Sequence, residues 1–338
     1  MANPEHLALV SRGAAAVADW RTEHPDERLD LSATDFRGKT LCGMNLQRAD
    51  LSGCVFHRMD LLGCDFFGAL LSRASFLRCR LCHVDFRQAT ADHCDFSFAD
   101  LEGARFDDAD LSWSSLNGAA ACCAVFDRAE MVHAALISAT ICQASFQGSV
   151  LIKADLSDVM ALGASFSEAD LVDADFSGAS LERVCFLKAR LIHATLAGAD
   201  LRQAAFGDVE MSDLSNANLA GADLAASRVV DSTLTNADLH DANLAGADLH
   251  GADLRGADLR NVNLSGAVLR GANLACAHVE SERFWRDRGD QQATPVDVSH
   301  LQQRWPVMIN SNRYGTPDCV LRNARPEERR LTVHGGGS

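Results

Sequence analysis

Three short patterns in the sequence have the residue types of a reactive site. Cys79-Arg80-Leu81-Cys82 has the spacing of a metal or dithiol pair, and Cys122, Cys123 and Cys142 add further thiols. Gly38-Lys39-Thr40 resembles the end of a phosphate loop, where backbone amides and a lysine cradle the anion. His93, His133 and His193 are imidazoles of the kind that ligate metals or move protons. Each chemistry needs its side chains to converge, so the elements that carry them decide whether it is available.

Those elements follow one rule. Leu or Phe recurs every five residues from Leu31 to Met211 and again from Leu214 to Val279, usually inside an Ala-Asp/Asn-Leu-x-Gly unit such as Gly251-Ala252-Asp253-Leu254-Arg255. Five matches neither the 3.6 of a helix nor the 2 of a flat strand. A chain that buries one large residue every fifth position must turn a corner between them. The residue two before it is small (Ala49, Ala69, Ala74, Ala89), so that position also points in. The sequence therefore predicts an all-β solenoid whose coils stack on their neighbours.

The aromatics set the size of a coil. At positions 36, 46, 56 and onward to 206, Phe fills 13 of 18 sites, while the interleaved series 31, 41, 51 to 211 contains none. A superperiod of ten needs an even number of faces, and two faces enclose nothing. Four faces of about twenty residues is the smallest answer. A core ladder of Phe66, Phe86, Phe106, Phe126, Phe146, Phe166, Phe186 and Phe206 should then run along one wall. The 51 units make nearly thirteen coils, a rod roughly 60 Å long at ~4.8 Å per coil.

Three segments result. Residues 1–28 are expected to form an amphipathic capping helix: Asn3-Pro4 starts it, Leu7, Val10, Ala14 and Val17 share a face near Trp20, and Pro25 ends it. Residues 29–280 form the rod, with a register break near 207–213, where eight residues separate Phe206 from Leu214. Residues 281–338 read as a C-terminal cap or tail with apolar anchors at Phe284-Trp285 and Trp305–Ile309. Repeats before the break are irregular, and those after it approach consensus. Consensus reads as scaffold, which leaves the first block as the place for individual surface residues to matter.

With this framework the reactive patterns disperse. Cys79 should face in and Cys82 out, and Cys54, Cys64, Cys79 and Cys94 take the small inward slot. Phe36 and Leu41 hold the lysine segment in repeat register, and Ala33 stands where a phosphate loop needs its first Gly. His93, His133 and His193 lie two or three coils apart, about 10–14 Å, too far for one metal ion. No catalysis, metal or cofactor is expected. Many unpaired thiols predict a reducing, cytoplasmic setting. The start has no basic region, and no apolar run reaches membrane length.

The chain resembles the pentapeptide repeat proteins over about residues 29–280, which implies a right-handed, quadrilateral parallel β-helix. In the Qnr-like quinolone-resistance branch of that family, an acidic rod imitates DNA and occupies the DNA-binding surface of DNA gyrase, a type II topoisomerase. Related proteins dimerise through the C-terminal end, which gives residues 281–338 a candidate role. The net charge is −15, and residues 1–280 carry 22 basic and 39 acidic residues, a net of −17. That sign opposes direct nucleic-acid binding and suits either solubility or a basic partner protein. This rod departs from that branch in being longer, in lacking long inserted loops, and in its outward Arg48, Arg58, Arg73, Arg78, Arg128 and Arg183.

An alternative partner surface comes from folding the first block on twenty-residue coils. Val132, Ile152, Val172 and Ile192 then form an aliphatic column, beside Trp113, His133, Lys153 and His193 and rimmed by Asp110, Glu130 and Asp170. Such a stripe fits a protein contact, with self-association as a homodimer or a foreign partner equally open. β-branched residues also suit parallel strands without any partner. Two readings follow: a DNA-mimicking modulator of gyrase, giving inhibition or drug protection, or a general scaffold or host-directed effector that binds through the stripe.

Overall fold

The computed structural model describes residues 2–207 and 213–279. Their organising feature is a parallel bridge between each outward residue and the one twenty positions on: Asp30 with Asp50, Asp35 with Val55, Asn45 with Asp65, Asp50 with Leu70. Bridges fall five residues apart and repeat after twenty, so a coil has four walls. We number them by their first inward residues: Leu31, Phe36, Leu41 and Leu46.

Each wall has one local geometry. The carbonyl of the inward residue accepts the amide three positions on, as from Ala49 to Leu46 at 3.1 Å. The residue two after the inward one is left-handed (Arg48, φ 53°; Gly53, φ 67°), which is the signature of a type II turn. The inward residue and the left-handed residue donate their amides to the next coil, as Leu46 does to Asp65 and Arg48 to Phe67, both at 2.8 Å. The outward residue before the inward one donates to the previous coil, as Asp50 does to Leu29.

One amide per unit is left, and the side chain of the outward Asp or Asn accepts it. Asp50 Oδ1 takes the Ser52 amide at 3.0 Å, and Asn243 takes that of Ala245 at 3.2 Å. Every letter of the Ala-Asp/Asn-Leu-x-Gly unit thus has a physical cause. Ala fits the narrow interior, Asp or Asn satisfies the spare amide, Leu fills the core, and Gly adopts the left-handed corner.

Phe rings stack coil upon coil on the fourth wall, at 4.9 Å for Phe66–Phe86, 4.7 Å for Phe126–Phe146 and 5.0 Å for Phe186–Phe206. A shorter stack on the second wall joins Phe36, Phe56, Phe76 and Phe96. Across the interior the two stacks meet edge to face, as Phe76 does Phe86 at 5.7 Å.

Across the break the bridge spacing becomes 23: Arg190 pairs with Asp213, and Thr195 with Asn218. Three extra residues enter, and the four-walled register resumes. Leu214 takes the wall position expected of Met211, which lies outside the described residues. So do the bulge expected between 207 and 213, except for its ends, and the tail 281–338.

The cap differs from the single helix expected. It is two helices, α1 (Pro4–Ser11) and α2 (Ala14–Glu23), separated by Gly13 at φ 97°. Asn3 Oδ1 accepts the Glu5 amide at 2.9 Å and starts α1. Leu9, Val10 and Val17 bury against the first coil, with Leu7 and Trp20 half-buried beside them. His6 Nδ1 accepts the Asp30 amide at 2.9 Å, fastening the cap to the first wall. Arg12-Gly13 interrupts the helix, and both short helices place buried side chains, Leu9 and Val10 from α1 and Val17 from α2, against the rod.

Candidate contact wall

The first wall carries the aliphatic column. Val132, Ile152, Val172 and Ile192 are half-buried, each one coil below the last. Their carbonyls accept the amides of the neighbouring left-handed column: Trp113 donates to Val132 and Lys153 to Val172 at 2.9 Å, and His133 to Ile152 at 3.0 Å. Trp113 is 56% exposed. Its ring stacks on His133 at 3.9 Å and lies 6.2 Å from His93 at a shallow angle. The column continues through Lys153 and Asp173 to His193, all exposed at the surface.

The acidic rim is discontinuous. Asp110 pairs with Glu130, Val150 follows, and Asp170 comes next, bonded to the Arg190 guanidinium. Asp110 Oδ1 also accepts the Ser112 amide at 2.9 Å. The fold therefore uses part of this charge for its own turns.

Much of the outward arginine is likewise held locally. Arg37 grips Asp35 within one turn, and this pairing holds the Asp35 carboxyl down at about 2. Arg87–Asp85, Arg202–Asp200, Arg255–Asp253 and Arg260–Asp258 repeat the arrangement. Arg128 instead reaches Asp108 in the adjacent coil at 2.7 Å, and Arg183 reaches Glu182 at 3.6 Å. Arg78 lies over the Phe98 ring, 5.4 Å from its centre.

The thiols do not converge on a common centre. Cys79 is buried, its Sγ donating to the Phe56 carbonyl at 2.8 Å, and burial pushes its thiol up to about 11. Cys82 points outward on the third wall and is half-buried. Cys122 and Cys142 are half-buried neighbours on that wall, one coil apart. Gly38 and Lys39 sit in an ordinary corner between buried Phe36 and Leu41. Among the described residues, no three His, Cys, Asp or Glu side chains gather as a metal ion requires.

Four exposed large hydrophobics among the described residues were not singled out in the sequence: Phe98 (57%), Met160 (50%), Leu162 (44%) and Val268 (41%). Phe98 lies over Gly118, where an added Cβ would come within 2.6 Å of the ring. Met160 and Leu162 flank Ala161 on the third wall, opposite the Trp113 wall. The twenty-residue folding places them there, but a pair on one coil leaves no long column to notice.

This coil geometry agrees with a model of pentapeptide repeats that matches residues 28–141, 149–186 and 212–280. The chain belongs to the pentapeptide repeat family. Among solved structures, this pentapeptide repeat protein is similar to HetL, involved in heterocyst differentiation regulation in the cyanobacterium Nostoc sp. strain PCC 7120. The two are 29% identical over 61% of this chain and 89% of HetL, with a TM-score of 0.41. Rfr23 from the cyanobacterium Cyanothece 51142 is 32% identical over 29% of this chain and 61% of its own, TM-score 0.24. QnrB1, a plasmid-mediated fluoroquinolone resistance protein, is 19% identical over 68% and 89%, TM-score 0.24. Comparison with curated protein sequences gives no match. Among the described residues, no helix is long and apolar enough to cross a membrane.

Proposed function

We propose that this chain is a non-catalytic, protein-binding rod with the right-handed winding of its family, and that it engages a partner through the first wall. The observation that carries the reading is the exposed Trp113 ring beside the unbroken column Val132, Ile152, Val172 and Ile192. Aromatic and aliphatic side chains at the centre of a surface, with His and charged residues around them, supply the desolvated core of a contact. The protein is better suited to this than to chemistry, because a flat wall of repeated corners offers no cleft. Trp113→Ala with Ile152→Ser should release a partner captured from its native cell extract while leaving the melting temperature within a few degrees. Retention of that partner by the double variant would overturn the reading.

A second reading, a DNA-mimicking modulator of gyrase, has the net charge of −17 over residues 1–280 in its favour. Against it stand the turn role of the Asp side chains and the local arginine pairs, which break a phosphate-like field into short runs. Titrating the protein into a gyrase supercoiling reaction, with and without a fluoroquinolone, separates the two. Inhibition or drug rescue that fades with salt would favour mimicry, and inactivity at large excess would remove it.

A further inference from the structure

The wall opposite Trp113 carries a second surface of different character. On the third wall, three successive coils centred on Ala121, Ile141 and Ala161 present Ala120, Cys122, Thr140, Cys142, Met160 and Leu162 outward. None of these is charged, on a rod whose net charge is strongly negative. Met160 and Leu162 are two of the most exposed large apolar side chains among the described residues. Charges flank the patch on both sides: Arg80, Asp100 and Glu102 in the coils before it, Glu182, Arg183, Asp200 and Arg202 in those after it.

We propose that this wall joins two copies of the chain, antiparallel, around a twofold axis passing at Cys142. The order of side chains along the wall is self-complementary about that point. Antiparallel, face-to-face rods keep each outward column against its own counterpart, so small positions meet large ones. Ala120 falls opposite the partner's Met160, and Cys122 opposite the partner's Leu162. Arg80 falls opposite the partner's Asp200. Glu102 falls opposite the partner's Glu182, whose charge is offset within its own chain by Arg183 and Arg202, each at 3.6 Å. A closed, isologous pair follows directly from a surface that complements itself under a twofold rotation.

The size of the patch sets the strength. Seven coils span roughly 29 Å, and a wall about 10 Å wide gives on the order of 300 Å² a side, well under the ~800 Å² of a standard interface. The pair should therefore be weak and concentration-dependent. It would leave both Trp113 walls facing outward in opposite directions, whether or not those walls bind anything.

The test is sedimentation velocity on the full chain up to several hundred micromolar, with thermal melts to check folding. A monomer–dimer equilibrium is expected, and Leu162→Arg, at an exposed position, should weaken it by about tenfold or more. Arg80→Asp should also weaken it, and adding Asp200→Arg to Arg80→Asp should recover most of the loss, because the two face each other twice across the axis. A chain that stays monomeric, or a dimer indifferent to Leu162→Arg, overturns the proposal. Failure of the charge swap to recover association overturns the antiparallel register. A monomer that retains a foreign protein in a Leu162-dependent way would assign the patch to that protein instead, and also overturns it.

Discussion

The two blocks of the rod, residues 31–206 and 214–279, share one backbone and differ in what they hang on it. At the left-handed corner, Gly, Asn or Asp fills eleven of thirteen positions in the second block but only fourteen of thirty-five in the first. These three residues tolerate that conformation, whereas a side chain such as Arg, Trp or His is disfavoured there by about 1 kcal/mol or more. The first block keeps Trp113, His133, Lys153 and Arg183 at such corners. Strained positions that persist against a ready alternative mark places where the side chain itself matters. The first block is therefore decorated, and the second is framework.

The cores differ too. Phe stacks on two walls in the first block, and among the described residues all of the stacked rings lie before the break. The second block is cored by Leu, such as Leu239, Leu244 and Leu249. The largest expected effect breaks this contrast. Phe146→Ala should destabilise by about 3–5 kcal/mol, removing two stacked contacts as well as buried area, and Leu244→Ala by about 2–4 kcal/mol. Urea unfolding of both variants measures the difference. Equal losses would show that ring stacking adds nothing to burial.

Alkaline pH should separate the blocks next. Burial pushes the Cys54 and Cys64 thiols up to about 12 and Cys79 up to about 11, from an ordinary value of 9.0. Folding thus favours the protonated thiols. The stability they contribute is complete below pH 9 and is lost as pH rises from there toward 12. Hydrogen exchange at rising pH should show coils 54–94 loosening before coils 214–259. Cys54→Ala with Cys64→Ala and Cys79→Ala should shift that loosening upward in pH.

The smallest effect sharpens the comparison of corners. Gly256, at φ 70°, should lose about 1–2 kcal/mol on substitution by Ala, because the conformation is disfavoured for a residue with a Cβ and no polar side chain to bond locally. Gln88, at φ 58°, should gain up to about 1 kcal/mol when replaced by Gly, part of the relief being cancelled by unfolded-state entropy. Thermal melts of Gly256→Ala and Gln88→Gly read both signs.

The register of the wall positions was legible in the residues, because a period of five with a Phe superperiod of ten admits few closed shapes. The positions of Val132 to Ile192 in one column follow from the same arithmetic. What the column does to its neighbours does not. The stacking of Trp113 on His133 depends on the left-handed corner bringing consecutive coils' side chains into line, and no pairwise sequence signal announces it. The outward Asp residues read as surface charge, and their acceptance of a backbone amide appears only once the corner is built. Asp50 and Ser52 show this: two residues apart in sequence, they form a closed turn because the chain bends between them.

By itself the sequence determined the coil of twenty, the four walls, the inward residues and the three-residue break, because apolar residues must leave water at a spacing the backbone can follow. Only the tertiary structure decided which arginines are held by which carboxylates, that the cap breaks into two helices at Gly13, and which apolar side chains stay exposed after the coils stack. Those outcomes depend on contacts between residues about twenty positions apart or more, or on corner geometry. A periodic pattern constrains where such residues sit but not how their side chains meet.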